Sequence, residues 1–122
     1  MILLVDDEAS VREVSEALLQ AEGYRVVCAV DGRDALAILR AGLRPCIIIL
    51  DLMMPVMDGW DFRSEQLKDP ELLKIPTIVY SAVGEIREAV ETLNVAGGFE
   101  KGDFDEMLRF VEQFCPNRAP GS

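Results

Sequence analysis

Five side chains in this sequence have the chemistry to act together: Asp6, Asp7, Asp51, Ser81 and Lys101. They supply three carboxylates, a hydroxyl and an ammonium group, in a chain that contains no histidine at all. Crowded carboxylates repel, each pair by about 4 kcal/mol at ~4 Å and an effective dielectric near 20. A domain is stable by only about 5–15 kcal/mol, so such a cluster needs relief from a raised pKa, a lysine or a bound cation. Lys101 can offset one charge. An all-oxygen donor set selects a hard cation for the remainder, and Mg²⁺ suits it best. A divalent ion beside a lysine and a hydroxyl forms a pocket for a phosphoryl group, and a carboxylate in that pocket can attack phosphorus.

Each of the five stands where a short apolar run stops. Ile47-Ile48-Ile49-Leu50, three of them β-branched, reads as a strand buried on both faces, and Asp51 closes it. A carboxylate is costly in that surrounding and belongs where the strand leaves the sheet. The loop that follows, Leu52-Met53-Met54-Pro55-Val56-Met57-Asp58-Gly59, is punctuated by Pro and Asp-Gly. Ile2 to Val5 repeats the pattern before Asp6-Asp7-Glu8, residues 76–81 end in the Ser81 hydroxyl, and residues 97–101 end in Lys101.

Helical periodicity fills the gaps. Val11, Val14, Ala17, Leu18 and Ala21 recur at spacings of three and four, with Asp7 or Ser10 as cap and Gly23 as terminator. A second strand spans residues 24–30, and Ala35, Leu36, Ile38 and Leu39 mark a second helix. Further helices are expected over residues 60–67, over residues 85–93, and around Phe104, Met107, Leu108 and Val111. Strict alternation of five strands and five helices implies an α/β fold, a doubly wound five-stranded parallel sheet, flavodoxin-like (βα)5, in the order 2-1-3-4-5. That order makes strands 1 and 3 neighbours and brings all five groups to one rim. Singly, each has a bland reading as a cap, a turn residue or a solvated charge.

Composition narrows the alternatives. At 122 residues, 50% hydrophobic and 28% charged, the chain suits one soluble domain. A net charge of −10 argues against a direct grip on nucleic acid or anionic lipid. Met1 to Val5 stops at Asp6 without a basic lead-in, and no apolar run nears the roughly 20 residues that span a bilayer, so a cytoplasmic protein is expected. Cys28, Cys46 and Cys115 are odd in number and far apart, which does not suggest a disulfide framework, and Cys46 reads as a small core residue.

Asp6-Asp7, then Asp51 followed by Met-Met-Pro-x-Met-Asp-Gly, then Ser81-Ala82 and Lys101 closely resemble the receiver domain of bacterial two-component response regulators, the CheY-like fold. The resemblance covers residues 1–115, with residues 116–122 left as a flexible tail or the start of a linker. It implies that Asp51 accepts a phosphoryl group from the phosphohistidine of a sensor histidine kinase or phosphotransfer protein. It also implies Mg²⁺ bound by Asp7 directly, by Asp6 largely through water, by Asp51, and by the main-chain carbonyl of Met53. Ser81 would bind a phosphoryl oxygen and move on activation, and Lys101 would pair with the phosphoryl group. Such a domain is a phosphoacceptor that assists its own phosphorylation and dephosphorylation, not a turnover enzyme, and it signals to a downstream protein through contacts.

The chain departs from the family pattern in strand 5. Gly102 follows the lysine where receivers usually have proline, and Gly98 stands where they usually carry an aromatic switch residue. Phe99 is one position out of step, so alternation turns its ring to the opposite face unless a bulge intervenes, and a fixed core role is expected for it. The alternative function is therefore a pseudo-receiver, an interaction module not switched by phosphate. An FMN binder would need a phosphate-binding loop where Asp7-Glu8 stands, and an aspartate-nucleophile phosphatase would need an acid where Met53 stands.

Overall fold

β-branched runs and Gly or Asp punctuation set the elements out as the periodicity predicts. The computed structural model describes residues 1–82 and 86–116. Strands and helices alternate: β1 Ile2–Val5, α1 Ala9–Ala21, β2 Val26–Ala29, α2 Gly32–Arg40, β3 Ile47–Asp51, α3 Gly59–Leu67, β4 Thr77–Ser81, α4 Ile86–Leu93, β5 Gly97–Glu100 and α5 Phe104–Phe114. The strands form one parallel sheet in the order β2-β1-β3-β4-β5. Some boundaries differ from expectation. Among the described residues β2 pairs with the four-residue β1 alone, over Val26–Ala29, and the Tyr24 ring goes into the core instead. The expected start of α4 at Glu85 and the tail from residue 117 lie outside the described residues.

Side-chain alternation along the strands feeds two cores, one on each face of the sheet. Leu3, Val5, Ile48, Leu50 and Val79 pack with Leu36 and Leu39 of α2, Phe62 of α3, and Ala89 and Leu93 of α4. Ile2, Leu4, Ile47, Ile49, Ile78, Tyr80 and Phe99 pack with Leu19 of α1 and with Met107 and Val111 of α5. Asp31, Asp58 and Asp103 cap α2, α3 and α5 through their carboxylates. α1 differs: its N-cap is Glu8, which makes no side-chain cap bond. The Glu8 N–H instead donates to Asp6 Oδ1 at 2.9 Å, and the Asp7 carboxylate joins the acidic cluster.

Beside Phe62, the side of α3 turned inward also buries two polar residues, Arg63 and Gln66. Buried Arg63 donates to Leu93 O at 3.0 Å, Asn94 O at 2.8 Å and Gln66 Oε1 at 2.9 Å. Gln66 Nε2 in turn donates to Leu72 O and Thr77 Oγ1, both at 3.0 Å. Arg63 thus satisfies carbonyls at the end of α4, the negative pole of that helix, while burial lowers its pKa.

One sequence expectation is overturned here: Cys46 and Cys115 form a disulfide, with Cα atoms 5.6 Å apart. Their sequence separation of 69 concealed the pair. In a parallel sheet the start of β3 and the end of α5 come to the same edge, which spacing along the chain does not reveal. Cys28 is unpaired and half-buried, and its thiol donates to Glu16 Oε2 at 3.4 Å. Burial, then Glu16, pushes it up to about 12, which makes it a poor nucleophile.

Candidate functional site

Asp51 is the last residue of β3, in register with Tyr80 of β4, and is wholly buried. Its position is fixed from behind by Gly59: a Cβ there would lie 2.6 Å from Asp51 O and 2.9 Å from Leu52 Cα. Only glycine allows the start of α3 to come so close. Between them the loop turns tightly at Val56, whose φ of 67° is uncommon for a β-branched residue. A hydrogen bond from Met57 N to Pro55 O closes this γ-turn at 2.7 Å. Gly32 N then donates to Met57 O at 2.9 Å, tying the loop to α2.

The five residues predicted from sequence meet at this rim. One oxygen from each of Asp6, Asp7 and Asp51 lies within 4.8 Å of the others, so the donor set fits a hard, oxygen-ligated cation. Asp6 and Asp51 are buried and Asp7 is exposed. Lys101 Nζ stands 3.1 Å from Asp51 Oδ2, 3.2 Å from Glu8 Oε1 and 3.7 Å from Asp6 Oδ2. Lys101 lies just past β5, and its backbone N–H donates to Ser81 O at 2.9 Å, so the end of β4 and the lysine are joined through the main chain. Ser81 is buried at that end of β4. Met53 sits in the loop with its N–H donating to Asp51 Oδ1 at 3.2 Å, and its side chain points outward.

The charges perturb one another. Burial raises Asp51 to about 6, against the lowering effect of its hydrogen bond to Lys101, and the Asp6 charge raises it further. Lys101 loses by desolvation, but the hydrogen bond and charge of Asp51, then the Asp6 charge, outweigh this and raise it.

Two participants were not anticipated from sequence. Glu8 shares Lys101 with Asp51. Tyr80 sends its hydroxyl to Asp6 Oδ2 at 2.5 Å, a charge-assisted bond. A tyrosine inside an otherwise apolar buried strand was the available signal, since a buried phenol needs an acceptor.

Strand 5 resolves as alternation predicts. Its ladder to β4 runs unbroken from Gly97 to Glu100, with no bulge. Gly98 faces α4, where a Cβ would lie 2.6 Å from Ile86 Cγ2 and 2.9 Å from Val90 Cγ2. Phe99 is buried on the other face, stacked on Tyr80 with centroids 5.4 Å apart and ring planes 8° apart. Gly102 has φ +92°, and no cis peptide occurs among the described residues.

This arrangement has close counterparts among known proteins. In solved structures, the response regulator TrrA of Thermotoga maritima, in complex with Mg²⁺-BeF, is 30% identical with a TM-score of 0.82, over 93% of this chain and 96% of that one. The receiver domain of a Pseudomonas aeruginosa sensor histidine kinase, with magnesium coordinated in its active-site cleft, is 28% identical with a TM-score of 0.83, over 95% and 97%. Among curated proteins, the response regulator PleD of Caulobacter vibrioides is 40% identical over 90% of this chain and 24% of its own length. A probable transcriptional regulator, ycf27, of Guillardia theta is 38% identical over 77% of this chain and 35% of its own. The chain thus spans about a third or less of these two curated relatives. Residues 2–100 match the family model for the response regulator receiver domain, and the chain belongs to that family.

Proposed function

We propose that this receiver takes a phosphoryl group onto Asp51 from the phosphohistidine of a sensor histidine kinase or phosphotransfer protein, with Mg²⁺ as cofactor. The observation that carries this reading is the Asp51 carboxylate, buried at the end of the central strand, 3.1 Å from Lys101 Nζ and clustered with Asp6 and Asp7. Asp6, Asp7, Asp51 and the Met53 carbonyl would hold the metal, which supplies positive charge for the phosphoryl oxygens. An Asp51 oxygen forms a bond to phosphorus as the P–N bond breaks, and the departing imidazole nitrogen keeps the electron pair and takes up a proton. Lys101 turns from Asp51 to a phosphoryl oxygen, and the Ser81 hydroxyl donates to another. Water later hydrolyses the acyl phosphate, restoring the carboxylate and releasing phosphate; we read the domain as a phosphoacceptor that assists these steps on itself, not as a turnover enzyme.

Output passes to a downstream protein through contacts. The surface charge opposes a direct grip on nucleic acid. Relatives named as transcriptional regulators are much longer than this chain, and a DNA-binding output elsewhere in such a protein is compatible with this reading. Among the described residues no helix is long and apolar enough to cross a membrane. We place the domain in the cytoplasm, where a reducing environment would keep Cys46 and Cys115 as neighbouring thiols.

Incubation with acetyl phosphate and Mg²⁺, read by intact mass, tests the assignment. Wild type is expected to gain one phosphoryl group and Asp51→Asn none; equal labelling of the variant would overturn it. Gly98 favours the second reading, a module labelled or unlabelled but never switched. An Ile86–Val90 surface unchanged in NMR spectra after labelling would select that reading.

A further inference from the structure

Among the described residues, Tyr80 is the one aromatic side chain that touches both the acidic cluster and the lysine. From β4 its hydroxyl reaches past β3 to the end of β1, donating to Asp6 Oδ2, with Val5 O at 3.5 Å. Asp6 Oδ1 is already taken by the Glu8 N–H, so both carboxylate oxygens have a fixed donor and the group cannot rotate without losing one. The Tyr80 ring also lies under Lys101, with Nζ 5.5 Å from its centroid, within cation–π reach. The ring itself is clamped by stacking on Phe99 and is buried. A phenylalanine would fill the same space, so burial alone does not account for the hydroxyl.

We propose that Tyr80 is a positioning residue for the metal site: its hydroxyl sets the Asp6 carboxylate, and its ring shelves the Lys101 ammonium. Partners of metal ligands commonly change affinity by about 10–100-fold when removed. This inference rests on the phosphoacceptor reading above, because it presumes that Asp6 serves a cation.

The test titrates Mg²⁺ into wild type and Tyr80→Phe, following binding by NMR shifts, alongside melting in chelator. Tyr80→Phe is expected to bind Mg²⁺ about tenfold more weakly. In an Asp6→Asn background the same substitution is expected to change nothing further, because the hydroxyl acts through Asp6. Labelling by acetyl phosphate should be slowed at low Mg²⁺ and restored at saturating Mg²⁺. In wild type alone, the ring signals of Tyr80, one of two tyrosines, are expected to shift with Mg²⁺ at the Kd reported by the site, which needs no variant to fold. An unchanged Kd in Tyr80→Phe, or an equal loss in the Asp6→Asn background, would overturn the inference and leave the metal site standing. Failure of wild type to bind Mg²⁺ would overturn both.

Discussion

At the rim where the strands end, three carboxylates, two of them buried, crowd together beside a lysine. At the rim where they begin, the Cys46–Cys115 disulfide joins β3 to the end of α5 beside an apolar core. The first rim holds groups that repel and must be shielded; the second carries a covalent bond that constrains the unfolded chain. The difference teaches that the chemistry sits where the fold is under electrostatic load, while cohesion comes from the two cores and, in the oxidised protein, from the tie at the opposite rim.

Cutting the covalent tie is the largest test of that contrast. Cys115→Ser is expected to lower the stability of the oxidised protein by about 4 kcal/mol, the chain-entropy figure for so long a loop. Denaturant midpoints would measure it, with labelling of Asp51 unaffected. Reduced wild type should match the variant; a midpoint indifferent to both would show that the tie contributes nothing.

At the charged rim, Mg²⁺ is expected to stabilise wild type by about 2.7 kcal/mol at a hundredfold excess over Kd. Asp7→Asn should lose that gain and stand higher than wild type in chelator. A melting temperature insensitive to Mg²⁺ would count against the metal site.

A smaller effect concerns protons. Asp51 is raised from 3.8 to about 6 by burial first, so the folded state holds its proton more tightly than the unfolded chain. Its contribution is full below the unfolded value and is lost as pH rises through about 6. In chelator, Asp51→Asn should therefore gain on wild type between pH ~4 and ~6. A difference that stays flat over that window would remove Asp51 from the account. Smallest of all is the exposed Lys68–Glu65 pair, N–O 3.1 Å: Lys68→Ala should change stability by no more than about 0.5 kcal/mol. A larger loss would show that burial is not what makes charges matter here.

The sheet was legible because Ile47 to Leu50 and its counterparts are short apolar runs ended by polar residues, and alternation with helices leaves few topologies. The site was legible because those ends fall on one rim. Even the Phe99 ring could be assigned a face by counting from Lys101. What stayed hidden depends on distance across the fold. The Cys46–Cys115 bond joins residues at one sheet edge, Tyr80 reaches a carboxylate two strands away, and Arg63 leaves α3 to meet carbonyls of α4. No local pattern encodes such reach, although a buried tyrosine or arginine always raises the question of its partner.

Arg63 gives α4 a mechanical character. The helix is pinned at Leu93 and Asn94 by a buried cation, while toward its start Ile86 rests on the bare backbone of Gly98. One end is tied by hydrogen bonds, and the other is held by side-chain packing. Eight residues at ~1.5 Å each make a lever about 12 Å long. A tilt of about 10° at the tied end would carry Ile86 by about 2 Å while leaving Leu93 in place. Any such tilt would be felt most at the end of α4 farthest from the anchor, in proportion to the length of the helix.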